Sequence, residues 1–413
     1  MNSKRSWIGL IVLYVCSLFY FLFQGGKTSL MLFGILNVLL VYLFIGYWGG
    51  IRHIHGHRLI GYEGHHRQQT QIVAGHSLQI TFSAQFPRFM LMPYVIVSEK
   101  LIRHDGTKQL YEGTMVPGFR NKDQWQYIIP HLKRGQYSFA TTSFLSYDAF
   151  GLKSHGREIY INNTIQVFPQ TLSAKQWTEL LRVHLGIYSS NMFSKYTKES
   201  TQQNGIREYM HGDRLSKIHW AATARTGSWK SKDFEREAMK KSIVVLDRYV
   251  KPSSSKDIER LQQRFEISVS MAASILDYSM KNDSAIGLLS VGEQYFYNAP
   301  STGMAHHVEM MNHLMTVDSD ATRPVSQLLH NRTKALQGNN VLFIVTFELS
   351  KELLTSLKQI RGESTLFYIA SHSTAAEQLE AIAAISAFRI EGYQVIEINE
   401  WETTFESLEG SGA

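Results

Sequence analysis

The chain reads as a doubly wound α/β domain at its C-terminal end, an antiparallel β-sandwich before it, and a two-helix transmembrane hairpin at its start. Three observations predict this: two uncharged apolar runs in the first fifty residues, a middle part of short alternating strands, and a last part in which wholly apolar strands alternate with amphipathic helices.

The apolar runs are Trp7 to Phe23 and Leu30 to Trp48, parted by the six residues Gln24 to Ser29. At about 1.5 Å per residue they span roughly 25 and 28 Å, enough to cross a hydrocarbon core of about 30 Å with snorkelling flanks. So short a connection forces the spans antiparallel, and residues 1–50 form the hairpin. Lys4 and Arg5 before the first run also suit a secretory signal, but no small-x-small cleavage site follows and a second span comes at once. Basic residues divide unevenly: Lys4, Arg5, Arg52 and Arg58 flank the outer ends, whereas the connection holds only Lys27. This asymmetry predicts a two-pass protein of the cell membrane with N- and C-termini in the cytoplasm. The one cysteine, Cys16, lies inside the first span, so the soluble part holds no disulfide, in keeping with a reducing compartment.

Residues 51–170 carry alternating apolar and polar positions at Gln71–Val73, Ser77–Ala84, Tyr94–Glu99, Trp125–Pro130, Gly135–Phe139 and Thr164–Phe168, punctuated by Gly, Pro and Asn. This pattern predicts the antiparallel β-sandwich. Residues 171–241 read as a linker helix (Lys175–Leu185), a polar linker (Ser189–Asn204) and a basic segment. Residues 242–405 alternate strands at Ser242–Asp247, Ala285–Val291, Gln294–Asn298, Val341–Phe347, Thr365–Ile369 and Tyr393–Ile398 with helices at Ile258–Met280, Met304–Val317, Val325–Leu336, Lys351–Ile360 and Ala375–Glu391. Runs such as Ile243 to Leu246 and Val341 to Val345 are apolar on both faces, the mark of parallel strands covered by helices. Residues 406–413 are expected as a flexible tail.

The net charge of +7 is concentrated. Between Lys195 and Lys241 stand eleven Lys or Arg against six Asp or Glu. Beside a bilayer, such a balance favours anionic lipid or an acidic protein surface over nucleic acid. Within this stretch, Gly205 to Phe234 combines Arg207, Tyr209, Gly212, Asp213, Lys217, His219, Trp220 and Arg225. Asp213 is explained as a helix cap. Arg207 and Arg225 are suited to stack on the Trp220 indole or grip carboxylates, locking the segment onto its neighbour.

The string R-E-Y-x-x-G-D-x-x-x-K-I-H-W-x-x-x-A-R, from Arg207 to Arg225, resembles the signature of the bacterial family called domain of unknown function 58. Arg134-Gly135-x-Tyr137, Asp148-x-Phe150-Gly151-Leu152 and Val167-x-Pro169 resemble further motifs of that family, with Ala149 in place of a usual Pro and Ser216 where members often carry Arg. The resemblance implies a von Willebrand factor A-like domain at the C-terminus. Such domains often hold a divalent metal through Asp-x-Ser-x-Ser after the first strand, a Thr from a later loop and an Asp after the fourth strand. Asp247 takes the first place, but Tyr249 and Lys251 stand where the serines belong, and an ammonium offers a cation no lone pair. After the fourth strand the nearest acid is Glu348, and Thr302 is only a weak candidate for the Thr. The site therefore reads as degenerate, with no metal and no cofactor expected.

Other chemistry-bearing patterns carry less. His53, His55 and His57 alternate as on one face of a strand, with His65 and His66 beyond, and read as headgroup contacts before metal ligands. Gly26-Lys27-Thr28 lacks the spacing of a phosphate loop. No nucleophile elbow or paired-carboxylate motif is present, so no enzyme is expected. The expected function is a membrane-anchored, non-enzymatic scaffold or adaptor. The resemblance implies a MoxR-type AAA+ ATPase and other membrane proteins as its partners, in a chaperone-like envelope assembly system. Asp247, Tyr249 and Thr302 are the expected partner-binding residues at the strand ends. The rival readings are a metal-dependent, adhesion-type ligand-binding module and a hydrolase using His219 and Asp213.

Overall fold

The computed structural model describes residues 3–49, 51–62, 72–87, 93–118, 121–148, 154–185, 199–211, 215–236, 241–249, 258–330, 336, 340–360, 362–370 and 375–398. The chain is a mixed α/β protein of two compact units, Met1–Phe168 and Pro169–Ala413. Of the sequence features above, the tail 406–413, His65, His66, Gly212, Asp213, Lys251 and Ala149 to Leu152 lie outside the described residues.

The first unit opens with α1 (Ser3–Gln24) and α2 (Lys27–Gly49). Within α2, Lys27–Ile45 is long and apolar enough to cross a membrane, while the apolar stretch in α1, Ile8–Gln24, is shorter. The link is tighter than the six residues expected. Gly25 (φ 59°) and Gly26 (φ 93°) reverse the chain alone, in a backbone region open chiefly to glycine. The Ser29 hydroxyl donates to the Gly26 carbonyl, so helix resumes at Lys27. The two helices touch through Phe33, whose ring lies 5.7 Å from Tyr14 and 5.4 Å from Phe21.

Ten strands follow: β1 (His55–Tyr62), β2 (Ile72–Val73), β3 (Leu78–Gln85), β4 (Val95–Arg103), β5 (Lys108–Met115), β6 (Lys122–Ile129), β7 (Gly135–Phe139), β8 (Thr142–Tyr147), β9 (Ser154–Ile159) and β10 (Thr164–Phe168). They form two sheets, β1-β3-β6 and β2-β10-β7-β4-β8-β9, with β5 also paired to β4. Every pairing is antiparallel except that of β2 with β10. Inward residues of both sheets, among them Phe82, Ile80, Val97, Leu101 and Phe144, pack into a shared core, as in a sandwich. Strands β1, β5, β8 and β9 were not expected from sequence. In β1 the pattern is inverted: Arg58 is buried while His55, His57 and Leu59 face outward, so an apolar-in rule passes over it.

That inward Arg58 meets an equally inward Glu99 from the opposite sheet. Arg58 Nη2 donates to Glu99 Oε1 at 2.6 Å with both side chains fully buried. The Tyr127 hydroxyl donates to Glu99 Oε2 at 2.7 Å, and the Thr142 hydroxyl to Oε1 at 3.0 Å. Arg58 Nη1 reaches Asn163 Oδ1 at 3.0 Å, and its guanidinium lies 3.7 Å over the Phe139 ring. Burial, followed by the Glu99 charge, pushes the Tyr127 phenol far above its usual range. The Arg-Gly-x-Tyr motif is likewise architectural: Gly135 adopts φ 142°, the Arg134 carbonyl accepts from Arg103 Nε at 3.0 Å, and the Tyr137 hydroxyl donates to the Lys133 carbonyl at 2.8 Å.

The second unit contains α3 (Ala174–Leu185), β11 (Glu199–Glu208), α4 (Trp220–Thr226), β12 (Lys230–Arg236), β13 (Lys241–Asp247), α5 (Ile258–Lys281), β14 (Ile286–Val291), β15 (Phe296–Ser301), α6 (Met304–Thr316), α7 (Val325–His330), β16 (Asn340–Thr346), α8 (Lys351–Ile360), β17 (Ser364–Ile369), α9 (Ala375–Ile390) and β18 (Gln394–Ile398). Its main sheet has the order β15-β14-β13-β16-β17-β18, parallel throughout except at β15. One face packs on residues of α3, α5 and α6, the other on α7, α8 and α9. Two features differ from expectation. Helix α3 is no linker: its Trp177 is wholly buried, 5.3 Å from Tyr278 and 6.1 Å from Phe367. Residues 199–204, expected as linker, belong to β11, whose partner β12 shows no apolar run to betray it.

Because Arg58→Met strands a buried Glu99, it should destabilise the first unit by about 3–5 kcal/mol, whereas Arg58→Met with Glu99→Leu should recover much of that loss. Hydrogen exchange of the β4 amides reads both; equal damage from the single and double variants would refute the pairing.

Candidate functional site

Strand order reverses between β13 and β16, so a crevice is expected at their C-terminal ends. Asp247 and Thr346, the last residues of those two strands, meet there on the face covered by α7 and α8. The Thr346 hydroxyl donates to Asp247 Oδ2 at 3.1 Å, and the Tyr249 amide donates to Oδ1 at 3.0 Å. Asp247 is only 2% exposed. Burial pushes its carboxyl up to about 7, against the lowering effect of hydrogen bonds from Tyr249, Thr346 and the Val325 backbone. Both oxygens are thus engaged inside the fold, and the group knots the end of β13 to β16 and the start of α7. Thr302 does not join them. It follows β15, whose Ser301 pairs with Ile286 at the N-terminal end of β14, so it sits at the opposite edge of the sheet. The hydroxyl beside Asp247 is that of Thr346, the residue closing the apolar run of β16, and sequence reasoning missed it by looking for an acid.

Arg248, next in the chain, faces the other layer. Its Nε donates to the Asp318 carbonyl at 2.9 Å, Nη1 to the Gln294 carbonyl at 3.0 Å, and Nη2 pairs with Asp320 Oδ2 at 2.5 Å. The clamp needs Gly292, because a Cβ there would strike the Arg248 guanidinium. Among the described residues no group of three or more His, Cys, Asp or Glu is placed to hold a metal ion, and His55 and His57 share the outer face of β1 as their spacing predicts.

The signature segment is built mainly by its backbone. Strands β11 and β12 pair antiparallel, with Ile206 opposite Lys232 and Glu208 opposite Lys230. A short 3-10 turn, Leu215–Lys217, leads to Ile218, which is 2% exposed and bridges Ser231. The His219 amide donates to the Lys230 carbonyl at 2.8 Å, and the Lys230 amide to the Thr223 hydroxyl at 3.0 Å. His219 Nδ1 accepts from the Ala222 amide at 3.1 Å, so His219 caps α4, while Asp213, expected as a helix cap, lies outside the described residues. A nitrogen so engaged is not available as a general base. Gly227 (φ 68°) ends the helix, its amide donating to the Thr223 carbonyl.

What the backbone leaves outward is aromatic and basic. Trp220 is 65% and Trp229 53% exposed, their rings 6.2 Å apart, and Tyr209 lies 5.7 Å from Trp229. Trp220 thus lies tilted beside another indole, largely in solvent. Arg207 Nη1 donates to the Glu208 carbonyl at 3.1 Å, Lys217 closes the short turn, and Arg225 sits exposed in the last turn of α4. Glu208, Tyr209, Leu215, Ser228 and Trp229 line an open pocket of about 460 Å³.

Residues 205–395 match the family described as protein of unknown function DUF58, so the match opens within β11 and closes within β18. The chain is 24% identical over 391 residues to the uncharacterized protein YeaD of Bacillus subtilis (strain 168), covering 91% of this chain and 92% of that protein. Solved structures resemble it slightly. The putative ApaA protein from Bordetella pertussis shares 7% identity, covering 28% of this chain and 93% of that one with a TM-score of 0.20. The C-terminal domain of Wzt shares 11%, covering 30% and 82% with a TM-score of 0.22. Neither likeness bears on fold or activity.

Two outcomes follow from the geometry. Between about pH 4 and 7 the folded chain holds the Asp247 proton that an unfolded carboxyl near 3.8 releases, so this group's contribution to stability declines as pH rises through that window. Melting of the protein in detergent should fall from pH 4.5 to 7.5, with a shallower slope in Asp247→Asn. Ile218→Ala should cost about 2–4 kcal/mol, whereas Trp220→Ala should shift stability by less than about 1 kcal/mol; denaturant titration of both variants compares them.

Proposed function

We propose that the chain is a membrane-anchored, non-enzymatic scaffold or adaptor that binds other proteins, a MoxR-type AAA+ ATPase among them. The observation that carries this reading is the set of solvent-facing apolar side chains Trp220, Trp229, Leu215 and Met210 in the segment where the family match begins. Large apolar side chains grouped in water mark interaction surfaces, and Trp is the residue most enriched where binding energy concentrates. The strand order, with one antiparallel edge and helices on both faces, supports a von Willebrand factor A-like reading of the second unit. The metal-dependent alternative is not favoured, because both Asp247 oxygens accept hydrogen bonds from the fold. Tyr249, half-buried at the strand end, stays a candidate contact; Asp247 acts by positioning it.

The anchor is the α1–α2 pair inserted as a two-pass hairpin, both ends cytoplasmic. Outward-facing Leu30, Leu32, Ile35 and Val38 along α2 support it, as does the single glycine-made link carrying Lys27. In a Cys16→Ser background, Lys27→Cys in intact cells should react with a membrane-impermeant maleimide while a cysteine in the soluble part does not; the reverse pattern would overturn the orientation.

Crosslinking in native membranes followed by affinity capture should retrieve an AAA+ ATPase of the MoxR type in at least one nucleotide state. Its absence with ATP, ADP and a non-hydrolysable analogue would overturn the partnership.

A further inference from the structure

We infer that the outer face of the two-stranded β11–β12 sheet docks an acidic segment of a partner protein that carries one large apolar anchor. The inference rests on the scaffold reading above and names the chemistry of its partner. Three features of the face converge on this occupant.

Shape comes first. The site is concave, about 460 Å³, with Trp229, Tyr209 and Leu215 among its walls. That is the scale of small-molecule and side-chain pockets. A bilayer surface presents no projection to fill a concavity, whereas a protruding side chain of a partner does. The Tyr209 and Trp229 walls are inclined by 53°, so an inserted ring that lies face-on to one meets the other at an angle.

Charge comes second. From Gly205 to Lys232 the sequence carries six Lys or Arg against two Asp or Glu. Lys230 and Lys232 stand on β12 opposite Glu208 and Ile206. Among the described residues the one acid lining the pocket, Glu208, is 84% exposed in its side chain and held by Lys230 Nζ at 3.1 Å. An exposed pair of this kind contributes little, so Lys230 can exchange Glu208 for a carboxylate of the occupant at small cost. A cation in the aromatic corner would meet the surrounding positive charge.

Rigidity comes third. The aromatics rise from a backbone already closed by the His219–Lys230 and Tyr209–Trp229 main-chain hydrogen bonds, so docking orders little that is not ordered beforehand.

The test uses the full chain in nanodiscs of neutral lipid. The probe is a labelled heptapeptide with one Phe among Asp and Glu, compared with versions carrying Lys for the acids or Ala for the Phe. The acidic Phe peptide should bind at least tenfold tighter than either, and the preference should shrink as salt rises. Lys230→Glu with Lys232→Glu, or Lys232→Glu alone if the pair fails to fold, should abolish the acid preference, and Trp229→Ala should abolish the Phe preference. Equal binding of the three peptides, or wild-type preferences in these variants, would overturn the inference. Quenching of Trp220 and Trp229 fluorescence by brominated anionic lipid would overturn it in favour of a membrane occupant. Photo-crosslinkers at positions 220 and 249 separate the two proposals. Capture of the ATPase at 249 but not at 220 sinks the docking face and leaves the scaffold standing. Capture at neither, with the acidic peptide still bound, keeps the docking chemistry and removes the ATPase as partner.

Discussion

Taking charge out of water is the constraint that organises both units. An isolated buried ion is costly by several kcal/mol, so every one that the fold encloses must be met by groups already in place. In the first unit Glu99 occupies a position that β4 otherwise fills with Val and Leu, and Arg58 reaches it from the other sheet. Because the two partners come from different sheets, the pair fixes how the sheets face each other. Tyr127, Thr142 and Asn163 absorb the remaining hydrogen-bonding capacity. A slip by two residues would keep apolar side chains facing inward, but here it would leave a buried charge unmatched.

The second unit meets the same constraint without a buried counter-ion. Asp247 sits at the strand ends among hydrogen-bond donors, and the balance between burial and those donors leaves its carboxyl titrating near neutrality, at about 7. Arg248, one residue on, satisfies its guanidinium with two backbone carbonyls and Asp320. Adjacent residues on opposite faces of one strand therefore draw four neighbouring segments together: the start of α7, the end of β16, the β14–β15 turn and the loop after α6. At the switch point both Asp247 oxygens are thus taken up by the fold's own donors.

Legibility in the sequence followed burial. Strands enclosed on both faces, such as β13 and β16, and helices with a long apolar stripe, such as α5 and α8, were read nearly to their ends because hydrophobic period is a direct image of burial. Two of the strands not expected from sequence break the apolar-in pattern at one residue: β1 turns Arg58 inward, and β5 lays Gly113 beneath the Trp125 indole, where any Cβ would collide. In both cases the residue pointing inward is chosen by one partner across the sandwich, which a single sequence does not display. The candidate site divided the same way. Asp247 is legible because the family resemblance places an acid at the end of the first apolar strand, whereas Thr346 is not, because its partner lies 99 residues away and its hydroxyl carries no distinctive spacing. Thr302 failed because sequence order does not reveal that β15 runs against its neighbours.

The signature segment shows how a surface motif and a folding motif occupy the same residues. A two-stranded sheet is marginal alone, and here the turn through Ile218, the cap at His219 and the bridge to Ser231 brace it with main-chain hydrogen bonds that ask little of side chains. Folding therefore does not require Trp220, Trp229, Leu215 or Met210 to be apolar, and water would favour polar residues in their place. Four large apolar groups held in solvent by a rigid brace, with lysines at their side, are the surface on which the docking proposal rests. The brace also explains why the motif mixes Gly, His and Lys with Trp and Tyr: the first set closes the backbone or supplies charge, and the second presents the surface. A partner that engages this face meets a shape set before it arrives, so its affinity depends on matching the pocket and the charges around it.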